Sequence, residues 1–170
     1  MRVLGIDPGL AITGYAILQE GNSSQPKQMR VLEAGVIRTP PEEPVQQRLK
    51  SIYDEVSQLI EEFQPEVLAV EQLFFNRNIT TAMVVSQARG VVLLAGCRLE
   101  VESYAPLEVK HQICGYGRAK KPQIQAMVQR LLNLQELPKP DDAADALAVA
   151  LCHLLKHRSK WRSLSAQKRR

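Results

Sequence analysis

Cysteine is scarce in this chain and cannot pair off: Cys97, Cys114 and Cys152 are odd in number, far apart and without a CxxC motif or a His-x-His neighbour. That pattern excludes a disulfide framework and a structural zinc site, and it points to reduced thiols in a cytoplasmic protein. Long apolar runs are missing too. The N-terminal run is cut at Asp7 and makes no signal peptide, and the stretch 91–97 is far shorter than a membrane span, so no membrane association is expected. There is no Gly-Lys-Ser/Thr phosphate loop and no internal repeat. What is present suits one soluble core: 170 residues, 45% hydrophobic and 24% charged, fill a single domain and not two.

Acids are absent from the last fifteen positions, which hold Lys156, Arg158, Lys160, Arg162, Lys168, Arg169 and Arg170. Setting those seven aside leaves 15 basic against 18 acidic residues, so the net charge of +4 resides in the tail. We read 1–156 as the folded domain and 157–170 as a flexible basic extension. Such a tail either solvates the terminus or adds a salt-sensitive attraction to phosphates. A second basic group, Gly115-Tyr116-Gly117-Arg118-Ala119-Lys120-Lys121, fits a solvated turn or a contact to a nucleic-acid backbone.

Apolar periodicity gives strands at about 2–7, 11–19 and 30–38, a helix at about 44–63, and a strand at about 66–71. A helix at about 79–98, a strand at about 100–104 and helices at about 106–114, 121–133 and 141–156 follow. This is a mixed α/β layout. The loop 21–26 between the second and third strands is too short to link domains. Leu49, Ile52, Tyr53, Val56, Leu59, Ile60 and Phe63 recur at helical spacing and form a core stripe.

Four carboxylates stand out from this frame. Asp7 ends the apolar run Val3-Leu4-Gly5-Ile6, and Glu71 ends Val67-Leu68-Ala69-Val70, so two compact strands terminate in acids. Asp142 and Asp145 lie one helical turn apart at the start of an Ala/Leu-rich helix. Each acid has a plainer explanation: Asp-Pro-Gly is turn chemistry, and Asp141 or Asp142 is an ordinary N-cap. Asp145 and Glu71 are harder to explain that way, because both sit among apolar neighbours where an uncompensated carboxylate is costly.

Taken together, Gly5-Ile6-Asp7-Pro8-Gly9 with Thr13-Gly14-Tyr15, Val70-Glu71-Gln72 followed by Phe74, Ser86-Gln87-Ala88-Arg89-Gly90, Val109-Lys110 followed by Gly115-Tyr116-Gly117, and Asp142-Ala143-Ala144-Asp145-Ala146 resemble the RuvC family of crossover junction endodeoxyribonucleases, the Holliday junction resolvases. The likeness runs in order from residue 1 to about 155. It implies an RNase H-like fold, a five-stranded mixed sheet flanked by helices, with Asp7 and Glu71 on adjacent strands and the last helix bringing Asp142 and Asp145 beside them. It also implies paired, symmetric cuts in a four-way DNA junction that leave 5′-phosphate and 3′-hydroxyl ends.

An all-carboxylate set suits Mg2+, two ions per subunit with Mn2+ as a substitute, over zinc. Two such ions would activate a water and stabilise the departing 3′ oxygen. Lys110 and Lys121 match family positions for DNA binding and catalysis, although two exposed lysines on ordinary helices would look the same. Arg118 joins them as a candidate DNA contact. Phe74 matches the aromatic that stacks on a junction base, with Phe75 beside it as the alternative. Symmetric cutting implies a two-fold homodimer, for which the apolar helix around 82–99 is the candidate contact. The family's partners are the RuvA–RuvB branch-migration proteins. His153 and His157 have an i, i+4 spacing but no third ligand, and are read as a helix-end surface pair.

Three rivals share parts of these signals. The Gly5–Gly9 segment with Thr13-Gly14 also looks like the opening of sugar kinases and actin-like ATPases, which need a second lobe that 170 residues do not supply. RNase H or transposase-type nucleases share the acids but not the loop motifs. A junction-binding scaffold would keep the fold without needing all four acids.

Overall fold

The computed structural model describes residues 1–21, 28–73 and 79–167, with backbone alone at 79–81 and 160–167. Its elements are β1 (Arg2–Asp7), β2 (Ile12–Glu20), β3 (Met29–Arg38), α1 (Val45–Phe63), β4 (Val67–Glu71), α2 (Ile79–Ala95), β5 (Glu100–Tyr104), α3 (Pro106–Cys114), α4 (Lys121–Leu132) and α5 (Asp141–Gln167). The order is the predicted one. Most of the β2–β3 loop, and both Phe74 and Phe75, lie outside the described residues.

Two helix ends differ from expectation. Helix α2 stops at Ala95, and the chain turns at Gly96, where a Cβ would stand 2.3 Å from Leu68 Cδ2. Helix α5 runs to Gln167, past the end expected near 156, because 157–167 contains neither Gly nor Pro to break it. Helix α1 ends more conventionally. Gln64 takes a left-handed conformation (φ 48°) and donates its N–H to the Ile60 carbonyl at 3.0 Å, and Pro65 then prevents continuation.

The strands form one sheet in the order β3-β2-β1-β4-β5. The pairs β1–β2 and β2–β3 are antiparallel, whereas β1–β4 and β4–β5 are parallel. This is the five-stranded mixed sheet of the RNase H-like fold. The central strands read as unbroken apolar runs because both of their faces are covered. Leu4, Ile6, Leu68 and Val70 pack toward Ile52 and Val56 of α1 and Ala88 and Val92 of α2. Val3, Val67 and Ala69 face the other way, into a core shared with α3, α4 and α5. Each fully buried Leu, Ile or Val contributes about 1.5–3 kcal/mol, so the two layers hold the sheet from both sides.

The side-chain alternation of a strand fixes where the acids point. Residues 3, 5 and 7 share one face of β1, and 67, 69 and 71 share the same face of β4, so Asp7 and Glu71 belong to the α5 side. Helix α5 lies flat on that side because its facing residues are small. A Cβ on Gly5 would be 2.4 Å from the Ala146 carbonyl oxygen and 2.7 Å from Ala150 Cβ. Residues 143, 144, 146–152 and 154 of α5 are all buried. His153 is buried with them, which corrects its reading as part of a surface pair. Its Nδ1 is 2.8 Å from the Tyr104 hydroxyl and its ring stacks on exposed His157, so a β5 aromatic pulls it inward.

Candidate active site

The register of β1 against β4 pairs Ile6 with Val70, so the next residue on each strand, Asp7 and Glu71, emerges side by side at the end of the sheet. Helix α5 supplies Asp142 and Asp145 from its first turns. Its start is seated by a missing side chain: Gly14 pairs with Asp7 across β1–β2, and a Cβ there would be 2.0 Å from the Asp142 carbonyl oxygen. Three segments distant in sequence therefore bring four carboxylates to one place.

Their electrostatics show how close they are. Burial pushes the Asp7 carboxyl up to about 8, helped by repulsion from Glu71, Asp145 and Asp142 in that order, and Asp7 and Glu71 are within hydrogen-bonding reach of each other. Burial and Asp145 also raise Glu71, opposed by its bond to Asp7 and by the positive charges of Lys110 and Lys121. A pair of carboxyl groups so placed holds a shared proton or a cation.

The donor set is all oxygen, which fits a hard divalent ion, and such an ion would relieve the repulsion that raises Asp7. Among the described residues, no group of three or more His, Cys, Asp or Glu has its side chains spaced to hold a metal ion by themselves. Magnesium does not require such a group, because it keeps several waters and takes part of its shell from substrate phosphate.

Lys121 begins α4 and reaches the rim of this cluster. Its Nζ donates to Asp145 Oδ2 at 2.8 Å and lies 3.3 Å from Asp141 Oδ2. Burial would lower its pKa, but Asp145 and Asp141 outweigh that and raise it. Lys121 is therefore a lysine that faces the acids. Lys110, partly buried on α3, is near enough to act on Glu71. Arg118 is exposed on the α3–α4 connection, and among the described residues no hydrogen bond or ion pair joins it to the acids. Phe74 lies outside the described residues.

Sequence reasoning missed what holds the rim. Asp141, read as a helix cap, accepts from Gln125 Nε2 at 3.0 Å through Oδ1 and pairs with Lys121 through Oδ2. The signal was the i, i+4 spacing of Asp141 and Asp145, which puts both on one helix face. Arg89, noted only as part of a motif, donates from Nη2 to Ser103 Oγ at 2.9 Å and ties α2 to β5 beside the site. The next residue, Tyr104, accepts the Gln72 N–H at 2.8 Å, immediately after Glu71.

Comparison with known proteins agrees with this geometry. A family model described as crossover junction endodeoxyribonuclease RuvC matches residues 3–153. The crossover junction endodeoxyribonuclease RuvC of Alkaliphilus metalliredigens (strain QYMF) is 52% identical over 167 residues, which span 96% of this chain and 98% of that protein. Among solved structures, Thermus thermophilus RuvC is similar with a TM-score of 0.86 at 36% identity, over 94% of this chain and 97% of that one. Thermus thermophilus RuvC in complex with a Holliday junction substrate gives a TM-score of 0.87 at 36% identity, over 94% and 96% of the two chains.

Proposed function

This chain belongs to the RuvC family of crossover junction endodeoxyribonucleases, and from that premise we propose that its four gathered carboxylates are where the phosphodiester bond is cut. The protein is a structure-selective endonuclease that resolves Holliday junctions. The observation that carries the site assignment is the convergence of the adjacent ends of β1 and β4 with the start of α5, which Gly14 lets approach closely.

Asp7, Glu71, Asp142 and Asp145 would hold magnesium, with manganese as a substitute. Bound there, the metal supplies a water nucleophile at neutral pH and charge stabilisation for the departing 3′ oxygen. The chain's own residues do the rest. Asp7 and Glu71, fixed on neighbouring strands, keep the carboxylates in register with one another. Asp142 and Asp145 close the cluster from the first turns of α5. Lys121 and Lys110 hold phosphate oxygens of the incoming strand against the acid cluster, and Arg118 adds a contact farther along the backbone. The expected products are 5′-phosphate and 3′-hydroxyl ends. Phe74 retains its expected role as the base-stacking residue.

Two coordinated cuts need two sites, and α2 supports a two-fold homodimer. Met83, Gln87, Gly90 and Leu94 form one exposed stripe along it, with Met83 and Leu94 61% and 62% exposed. Large apolar residues at both ends and a glycine in the middle suit close approach of an identical helix. Family membership extends this reading to partnership with RuvA and RuvB.

The test is cleavage of a synthetic four-way DNA junction, against linear duplex and an RNA–DNA hybrid, with and without magnesium, for the wild type and Asp7→Asn. Paired symmetric nicks confined to the junction, magnesium and the wild type are expected. Tight binding without nicks would make the protein a scaffold and remove the site assignment.

A further inference from the structure

Both oxygens of Asp141 are engaged by α4. Gln125 donates to Oδ1 at 3.0 Å, and Lys121 pairs with Oδ2 at 3.3 Å. The same ammonium is 2.8 Å from Asp145 Oδ2, so Lys121 bridges one acid of the cluster and one acid outside it. These two contacts are not equally durable. Asp145 is assigned to a divalent cation, and an ammonium a few ångströms from that cation is repelled by it. Asp141 has no such competing assignment. Its side chain is 65% exposed, against 29% for Asp145, which puts it on the outer rim of the cluster.

We infer that Asp141 is a positioning residue: with Gln125 fixing its carboxylate, it retains the Lys121 ammonium at the mouth of the acid cluster, where the scissile phosphate arrives. This rests on the reading of the four acids as the metal site and of Lys121 as a phosphate contact. Lys121 has many rotamers to lose, and holding it in one place beforehand is what a partner such as Asp141 supplies.

The test compares Asp141→Asn, Asp141→Glu, Lys121→Ala and the Asp141→Asn/Lys121→Ala double variant, with Gln125→Ala as a second way to loosen the same contact. Asp141→Asn is expected to lower kcat for junction cleavage about 10–100-fold while KM stays within about twofold, the range usual for residues that orient a site from outside it. Asp141→Glu should recover most of the loss, and Gln125→Ala should show a smaller loss of the same kind. The double variant should be no slower than Lys121→Ala alone, because the two residues act through one ammonium. A readout independent of turnover is NMR relaxation of the Lys121 Cε group in lysine-labelled protein without DNA. In the wild type it should stay rigid when magnesium is added, and in Asp141→Asn it should become mobile. Wild-type kcat in Asp141→Asn, losses that multiply in the double variant, or a Lys121 that stays rigid without Asp141 would each overturn the inference. If Asp7→Asn and Lys121→Ala also cut normally, the reading of the acid cluster itself falls; if they fail and Asp141→Asn does not, only Asp141 loses its role.

Discussion

At the scale of single residues, the four gathered acids are a concentration of like charge. Asp7 illustrates the cost. Its carboxyl is raised from an ordinary value of 3.8 to about 8 by burial and by Glu71, Asp145 and Asp142. Below pH about 4 the group is protonated in both folded and unfolded chains and exerts no penalty. Between about 4 and 8 the unfolded chain ionises it and the folded chain does not, so unfolding releases a proton and stability falls as pH rises. Urea denaturation in a chelator should therefore show the wild type losing stability across that window. Asp7→Asn should flatten the loss and stabilise the metal-free protein by about 1–3 kcal/mol at pH 8, while abolishing cleavage. A metal-free wild type as stable at pH 8 as at pH 5 would show that the four acids do not repel one another as described.

Elements set the position of these residues, and glycine is the instrument. Helix α5 approaches β1 and β2 closely at Gly5 and Gly14, and at Gly14 the atoms in the way of a Cβ are backbone: the Asp142 oxygen at 2.0 Å and its carbonyl carbon at 2.5 Å. Backbone cannot rotate aside, so Gly14→Ala must lift the start of the helix and carry Asp142 away from Asp7 and Glu71. Overpacking of this kind costs about 1–3 kcal/mol. A displacement of about 1 Å at a catalytic group costs on the order of 100-fold in rate. Thermal unfolding and junction nicking measured side by side should show a protein that still folds and cuts at least about 100-fold more slowly. Near-normal nicking would mean that α5 can slide without moving its acids.

For the whole molecule the governing requirement is symmetry, since one protomer offers one cluster of acids and resolution takes two cuts. The exposed stripe of α2 is where a second copy is expected. Leu94→Asp places a charge at one end of the proposed contact and replaces none of the site residues. Sedimentation at micromolar concentration should show the wild type as a dimer and the variant as a monomer, and the variant should yield single, uncoordinated nicks. A variant that remains dimeric and cuts in pairs would move the interface elsewhere. Among the described residues no helix is long and apolar enough to cross a membrane, so the unburied apolar face of α2 is not explained by a bilayer span.

Much of this was legible in the sequence because it depends on neighbours along the chain. Strands that end in Asp7 and Glu71, the helix opening at Asp141, and the motifs that mark the RuvC family are local patterns of polarity and spacing. Tertiary structure decided the rest, because contacts between elements carry no local signal. His153 reads as a surface residue until Tyr104, at the end of β5, bonds to it. Asp141 reads as a cap until α4 folds against it and turns it toward Lys121 and Gln125. Gly14 reads as one position of the second strand until α5 is laid across it, and only then does the absence of one methyl group determine where the four acids can meet.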